Sequence, residues 1–407
     1  MFACVHWVPQ QLGAGGPARD LMKRSSERIL TTHIGSLPRP KELWTHVRAK
    51  DRGQPYDQTE LNRELKKAVE QTVRQQIEVG IDIPSDGEFS KASFTNYVRE
   101  RLSGLEGINT RGFAGPPSKF PGHEEALRAR GVDLAAGLGT LPLNVGPIAW
   151  TDKTELETDI ANLKTALKDH RYEEAFMPSV AVGQVFFMVP TQHYSSDREY
   201  LYALADALKH EYKAIIDAGL VLQLDSPDFV MMRNRQYWQR PWREYRESIE
   251  LRVEALNHAL SEVPEDRIRF HVCWGNFEGP HDNDVPLEDV VDLVLKVKAQ
   301  AYSLEGANPR HGHEWRVWEQ VKFPEGKILI PGVIDTVTSF VEHPELVAER
   351  IVRCAKLVGR ENVIAAPDCG FGTFGGWEPR VHPEVMWAKF EALVEGAAIA
   401  TRQLWGR

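Results

Sequence analysis

Short apolar runs alternate with longer amphipathic stretches along nearly the whole chain, and this rhythm restricts the fold more than any single motif. Strand candidates fall at 28–34, 81–88, 143–148, 177–189, 220–225, 268–273, 300–305, 328–333 and 362–367. Helical patterns fill the gaps at 58–78, 154–168, 196–218, 241–260, 286–298, 345–357 and 383–403, and Gly219 supplies a stop before the run at 220. Such alternation predicts an α/β fold, a parallel sheet with helices outside it. Nine candidates compete for eight places in a closed barrel; 143–148 is the spare, read as an accessory element in an insertion near 104–150.

Ser36, Glu88, Asp225, His271, Cys273, Glu305, Asp335 and Cys369 all stand just past strand candidates. In an open sheet these positions would spread along one edge. In a (β/α)8 TIM barrel they meet over one mouth, where barrel enzymes build their sites, so the barrel is the reading adopted. No Gly-x-x-x-x-Gly-Lys-Ser/Thr loop supports a nucleotide site.

A chain of 407 residues can form one large barrel or two ordinary domains. The net charge of −9 argues against a nucleic-acid partner. No apolar run approaches the roughly 18 residues needed to span a membrane. Four cysteines, Cys4, Cys273, Cys354 and Cys369, are too few for a disulfide framework and suit a reducing, cytoplasmic setting. Cys354 falls in an amphipathic helix pattern and reads as packing. Residues 1–24, broken by Gly13, Gly15, Gly16 and Pro17, read as a poorly ordered extension, leaving 25–407 as a single catalytic barrel. A homo-oligomer is compatible with the sequence.

The run Ile268–Cys273 carries the chemistry. In a strand, residues i and i+2 share a face, so His271 and Cys273 project together. Cys369, in Pro367-Asp368-Cys369-Gly370, and Glu305, closing Ala301–Leu304, end two further strands. Zinc accepts imidazole, thiolate and carboxylate together, so His271, Cys273, Glu305 and Cys369 form a candidate Zn²⁺ site if the fold converges them.

The strand-end motifs resemble, in order, those of the cobalamin-independent methionine synthase family. They are Thr32-His33-Ile34-Gly35-Ser36-Leu37-Pro38-Arg39, Asp86-Gly87-Glu88, Leu222–Pro227, His271-Val272-Cys273, Ser303-Leu304-Glu305, Pro331–Asp335 and Pro367–Gly370. The likeness is to the C-terminal catalytic barrel, in the short single-barrel branch that also includes epoxyalkane:coenzyme M transferases. It implies a zinc-activated small-molecule thiol as acceptor, an alkyl donor, and a Glu305 carboxylate that the thiol displaces. It also implies that Ile34, Gly35, Ser36, Glu88 and Asp225 grip an acceptor of the homocysteine type. Two carboxylates favour an amine over a sulfonate such as coenzyme M, unless Arg39 compensates.

On the donor side the motifs diverge. The family's histidine two residues after the aspartate matching Asp335 is here Val337, and its aromatic folate platform is matched by Phe187. Asp335 and Glu305 are carried over as catalytic residues, with Phe187 and Trp274 as substrate-binding ones. Transfer of a methyl or other alkyl group is the leading reading. Thiol addition to an epoxide, a zinc hydrolase or lyase, and a zinc-stabilised binding protein are the alternatives. His33 reads as a core histidine, His311, His313 and Glu314 as no second metal site, and His281, Asp282 and Asp284 as a solvated loop. Trp274 and Trp377 fall near the mouth.

Overall fold

The computed structural model describes residues 21–107, 109, 116–129, 141–372 and 379–406. Cys4, Trp377 and all of the first twenty residues lie outside them. Met22, inside the expected extension, is buried, and its N–H donates to the Asp266 carbonyl.

The apolar runs form strands β1 (Leu30–Thr31), β2 (Leu105–Glu106), β3 (Leu143–Asn144), β4 (Phe176–Val180), β5 (Val221–Asp225), β6 (Ile268–Val272), β7 (Ala301–Leu304), β8 (Ile328–Ile334) and β9 (Ile364–Pro367). Seven of them make one parallel sheet in the order β1-β9-β8-β7-β6-β5-β4. The sheet is curled. Leu30 and Phe176, on its opposite edge strands, share one buried cluster with Ile83, Val221, Ala301, Ile328, Ile330, Ile364 and Ala366. The 81–84 segment forms no named strand but lies between those edges: Thr32 bridges Ile83 in parallel, and Phe176 N–H donates to the Pro84 carbonyl. Across this interior runs Arg269, fully buried, donating to Thr32 Oγ1 and the His33 carbonyl and lying 4.1 Å from the Phe176 ring centre.

A larger apolar cluster joins the outer face of the sheet to the helices. The helix Gln58–Val79 begins where the Asp57 carboxylate accepts from Thr59 and Glu60 N–H, and it ends at Gly80 in the left-handed conformation. Ser196 caps Asp197–Asp217 in the same manner. Further helices at Thr154–Leu167, Trp242–Ala259, Pro344–Val358 and Pro383–Trp405 sit where the sequence places them. Among the described residues no helix is long and apolar enough to cross a membrane.

Besides the 81–88 run, two elements differ from the sequence reading. The run 177–189 is a strand only to Val180; Ala181 N–H donates to the Asp225 carbonyl and the chain then turns into the helix Val182–Met188. That helix is buried almost all round, so its sequence lacks the polar face by which a helix is told from a strand. In 286–298 only a 3₁₀ turn, Leu287–Asp289, and a short helix, Val291–Val294, form. Asn257 takes the backbone beyond them, donating to the Lys296 carbonyl and accepting from Lys298 N–H, which competes with helix continuation. The spare run at 143–148 pairs as β3, antiparallel to β2, in a separate two-stranded sheet.

Candidate metal centre

His271 lies on β6, Cys273 just past it, and Cys369 two residues beyond β9. The curl of the sheet brings one ligand atom of each within 4.8 Å of the others. The two sulfurs are 3.4 Å apart, and Gly275 N–H donates to Cys273 Sγ. His271 is fixed by Ser303, its register partner on β7, whose hydroxyl is 3.1 Å from Nδ1. Its Nε2 is buried with no hydrogen-bond partner. Burial, then the Arg269 charge, lower the His271 pKa to about 3, so the ring is neutral. The Cys369 thiol, through its hydrogen bond, and burial push the Cys273 thiol well above its ordinary range. An orphaned neutral imidazole nitrogen beside two buried thiols is a donor set that fits zinc.

Glu305 stands beside this group without joining the three-residue cluster. Its Oε1 accepts from Trp274 N–H at 2.7 Å and its Oε2 from Asn308 Nδ2 at 2.9 Å. Burial and the nearby Cys273 and Asp368 charges raise its pKa well above the carboxylate range. Asp368, Asn308 and Ser303 were not singled out in the sequence. The one available signal was an acid next to Cys369 at a strand end.

The acceptor-side residues gather next to this group. Asp225 is the register partner of His271. The turn at Gly35 has φ of 116°, and an added Cβ would lie 2.6 Å from Pro178 Cγ and 2.7 Å from Glu88 Oε1. Ser36 Oγ donates to the Gly372 carbonyl, and Ile34 packs in the inner cluster. Glu88 holds a left-handed backbone, φ 59°, a conformation costing a non-glycine residue roughly 1–3 kcal/mol. Asp86 Oδ1 accepts its N–H, Arg39 donates to its carbonyl, and Lys91 Nζ is 3.4 Å from its carboxylate. Burial, then the charge of Glu88, push Asp225 well above the carboxylate range. Two buried carboxylates, Glu88 and Asp225, thus stand close together, with Lys91 beside Glu88. Arg39 is already occupied by the carbonyls of Gly372, Glu88 and Lys91.

Other expected residues point elsewhere. Asp335 accepts from Val337 and Thr338 N–H and from the Thr338 hydroxyl, with Lys389 Nζ at 3.7 Å, so its carboxylate organises its own loop. Phe187 is buried in the outer core. Trp274 donates from Nε1 to the Val285 carbonyl and lays its ring against His311. His33 is a satisfied core residue, accepting from Gly35 N–H at Nδ1 and meeting Ser85 Oγ at Nε2. The loop read as solvated is tied down, because Asp284 Oδ2 binds both His281 and His311.

His311 has both ring nitrogens engaged, by Glu314 and Asp284, which leaves none for a metal. Burial lowers its pKa, but the hydrogen bonds to Asp284 and Glu314 outweigh it and raise the value to about 10. A folded-state pKa above the unfolded value of about 6.5 gives stability that is complete below about pH 6.5 and lost as pH rises through 10. Thermal melts across that range are expected to lose about 1–3 kcal/mol in the native protein and less in His311→Gln. A constant offset between the two proteins would contradict this.

The sequence profile described as "Cobalamin-independent synthase, Catalytic domain" matches residues 29–112 and 179–388. The methionine synthase of Sulfolobus acidocaldarius is 26% identical over 341 residues, 84% of this chain and 85% of that one. That of Saccharolobus solfataricus is 23% identical over 389 residues, 92% of this chain and 95% of its own. The fold is similar to that of a B12-independent methionine synthase from Shewanella sp. W3-18-1 in complex with selenomethionine, with TM-score 0.69, 20% identity, and 93% of this chain and 100% of that one covered. A putative vitamin-B12 independent methionine synthase from Listeria monocytogenes gives TM-score 0.63 at 21% identity, over 91% of this chain and 98% of that one. With the profile spanning well over half of its length, the chain belongs to the cobalamin-independent methionine synthase family.

Proposed function

We propose that this protein is a zinc-dependent methyltransferase, or transferase of another small alkyl group, acting on a thiol that carries an amine, of the homocysteine type. The observation that carries the reading is the buried, unpartnered Nε2 of His271 beside the two sulfurs of Cys273 and Cys369. Zinc held there supplies deprotonation of the acceptor thiol at neutral pH, where a free thiol of pKa about 8.5 is mostly protonated. His271, Cys273 and Cys369 are the residues that would hold it, with Glu305 beside them. Glu88 and Asp225 hold the acceptor ammonium, and the Ile34–Ser36 turn bounds the same pocket. The acceptor sulfur takes the alkyl group in one displacement, its S–C bond forming as the donor's carbon–leaving-group bond breaks.

Two sulfurs and one imidazole make an anionic donor set, which suits thiol chemistry better than water activation. With Arg39 committed to carbonyls, Glu88 and Asp225 disfavour a sulfonate acceptor. We also read residues 25–407 as one closed (β/α)8 barrel, supported by the bridge and hydrogen bond that the 81–84 segment makes to both edge strands. Close, unpaired thiols call for a reducing compartment, so the cytoplasm is the setting proposed.

Zinc X-ray absorption on the purified protein tests the proposal. Adding homocysteine is expected to add one sulfur to the zinc shell, and adding 2-mercaptoethanesulfonate to leave it unchanged. Absence of zinc, or a shell indifferent to both thiols, would overturn the reading.

A further inference from the structure

One side-chain amide joins the Ile34 turn to Asp225. Gln223, on β5 and fully buried, reaches from its strand to the turn that follows β1, a strand with which β5 does not pair. Its Nε2 lies 2.7 Å from the Ile34 carbonyl oxygen and 2.8 Å from Asp225 Oδ1. The amide nitrogen carries two hydrogens, so each acceptor takes one. Turned over, the amide would set its oxygen against two oxygens, which fixes its orientation. Among the described residues Gln223 is the one group that donates to the Asp225 carboxylate. Glu88 is attended differently: Lys91 stands beside it, donating to the Pro178 carbonyl at 2.6 Å and lying 4.5 Å from the Tyr97 ring centre.

We propose that Gln223 is a positioning residue for the acceptor: its two N–H groups hold the Asp225 carboxylate and the Ile34 turn in a fixed relation and so set where the ammonium docks. The inference rests on the acceptor reading given above. Two observations support it. The first is that Gln223 Oε1 is buried with no partner among the described residues. An amide kept for the fold would have both ends paired, because an unmet buried acceptor is costly. Here both N–H groups go to the acceptor residues and the oxygen goes without. The second is that no backbone ladder sets the distance between Ile34 and Asp225. Arg269 ties down Thr32 and His33, the residues before the turn, while Gln223 ties down the turn itself. Without the amide, Asp225 can rotate about its own side-chain bonds. The ammonium would then meet a negative group whose place is no longer prepared for it.

Calorimetric titration of the zinc-loaded protein with homocysteine, and with 4-mercaptobutanoate as the same chain lacking the amine, tests this without a donor. Gln223→Met keeps the length and drops both N–H groups. It is expected to weaken homocysteine binding about tenfold and 4-mercaptobutanoate binding less than about twofold. Gln223→Asn, too short to reach both partners, is expected to act in the same direction, and melting curves verify that each variant is folded. In an Asp225→Asn background the effect of Gln223→Met on homocysteine should fall below about twofold. Equal weakening of the two thiols, no weakening of homocysteine, or the whole loss persisting in the Asp225→Asn background overturns the role given to Gln223. Failure of the chain to fold under either substitution overturns it too, since the amide would then serve the barrel. A native protein that binds both thiols equally would instead overturn the amine-bearing acceptor, and the inference with it.

Discussion

Cys273→Ser is expected to hold less than about a tenth of the zinc per chain of the native protein and to alkylate its thiol acceptor about 1000-fold more slowly. The substitution leaves His271 and Cys369 as the remaining converged ligands, and a serine hydroxyl stays protonated and binds zinc poorly. At neutral pH a free thiol is only about 3% thiolate, which accounts for roughly a factor of 30. The remainder comes from losing the fixed placement of the sulfur against the donor carbon. Elemental analysis of the purified variant with single-turnover kinetics decides the matter. The control is Cys354→Ser: that thiol is buried in the helix Pro344–Val358, outside the ligand cluster, and its replacement should leave zinc in place. A Cys273→Ser protein that keeps both metal and rate would remove this cluster from the chemistry.

The second large effect concerns the acceptor's amine. Asp225→Asn is expected to raise KM for homocysteine about 30- to 100-fold, corresponding to about 2–3 kcal/mol of lost charge pairing. KM for a thiol of the same length without the amine should stay level or fall. The reason lies in the surroundings of Asp225, where burial and the Glu88 charge both disfavour its ionised form. A bound ammonium relieves both. Because the raised pKa means that ionised Asp225 is populated as pH rises, KM of the native protein should fall with rising pH, while that of Asp225→Asn should be flatter. Equal losses for the amine-bearing and amine-free thiols would show that Asp225 supports the fold and not the ammonium.

How far the sequence spoke for the fold depended on the periodicity of each segment. Gln58–Val79 is polar on one side and capped at both ends, so its limits were legible to within a residue. Val182–Met188 is not, because a helix packed on nearly every side carries no alternation to read. In the site, His271 and Cys273 declare themselves by their spacing within one strand. Cys369 required only that strand ends converge, whereas Asp225 took its role from the family resemblance. Asn308 and Asp368 could not be found in that way, since the hydrogen bonds that give them meaning cross 60 residues of sequence and the residues are common in loops. Trp274 and Asp335 show the converse. Position near the mouth suggested contact with ligand, yet the indole N–H goes to a carbonyl and the carboxylate to its own turn.

Arg269, sealed in the interior beneath the cluster, bears on the cost of loading the site. Its permanent charge lowers the affinity of His271 for a proton, as burial does, and the ring is already free of one at any pH a cell maintains. An incoming cation therefore does not compete with hydrogen ions for the imidazole. On the metal reading proposed above, the acid released on metallation comes from groups other than this imidazole, the Cys273 thiol first among them.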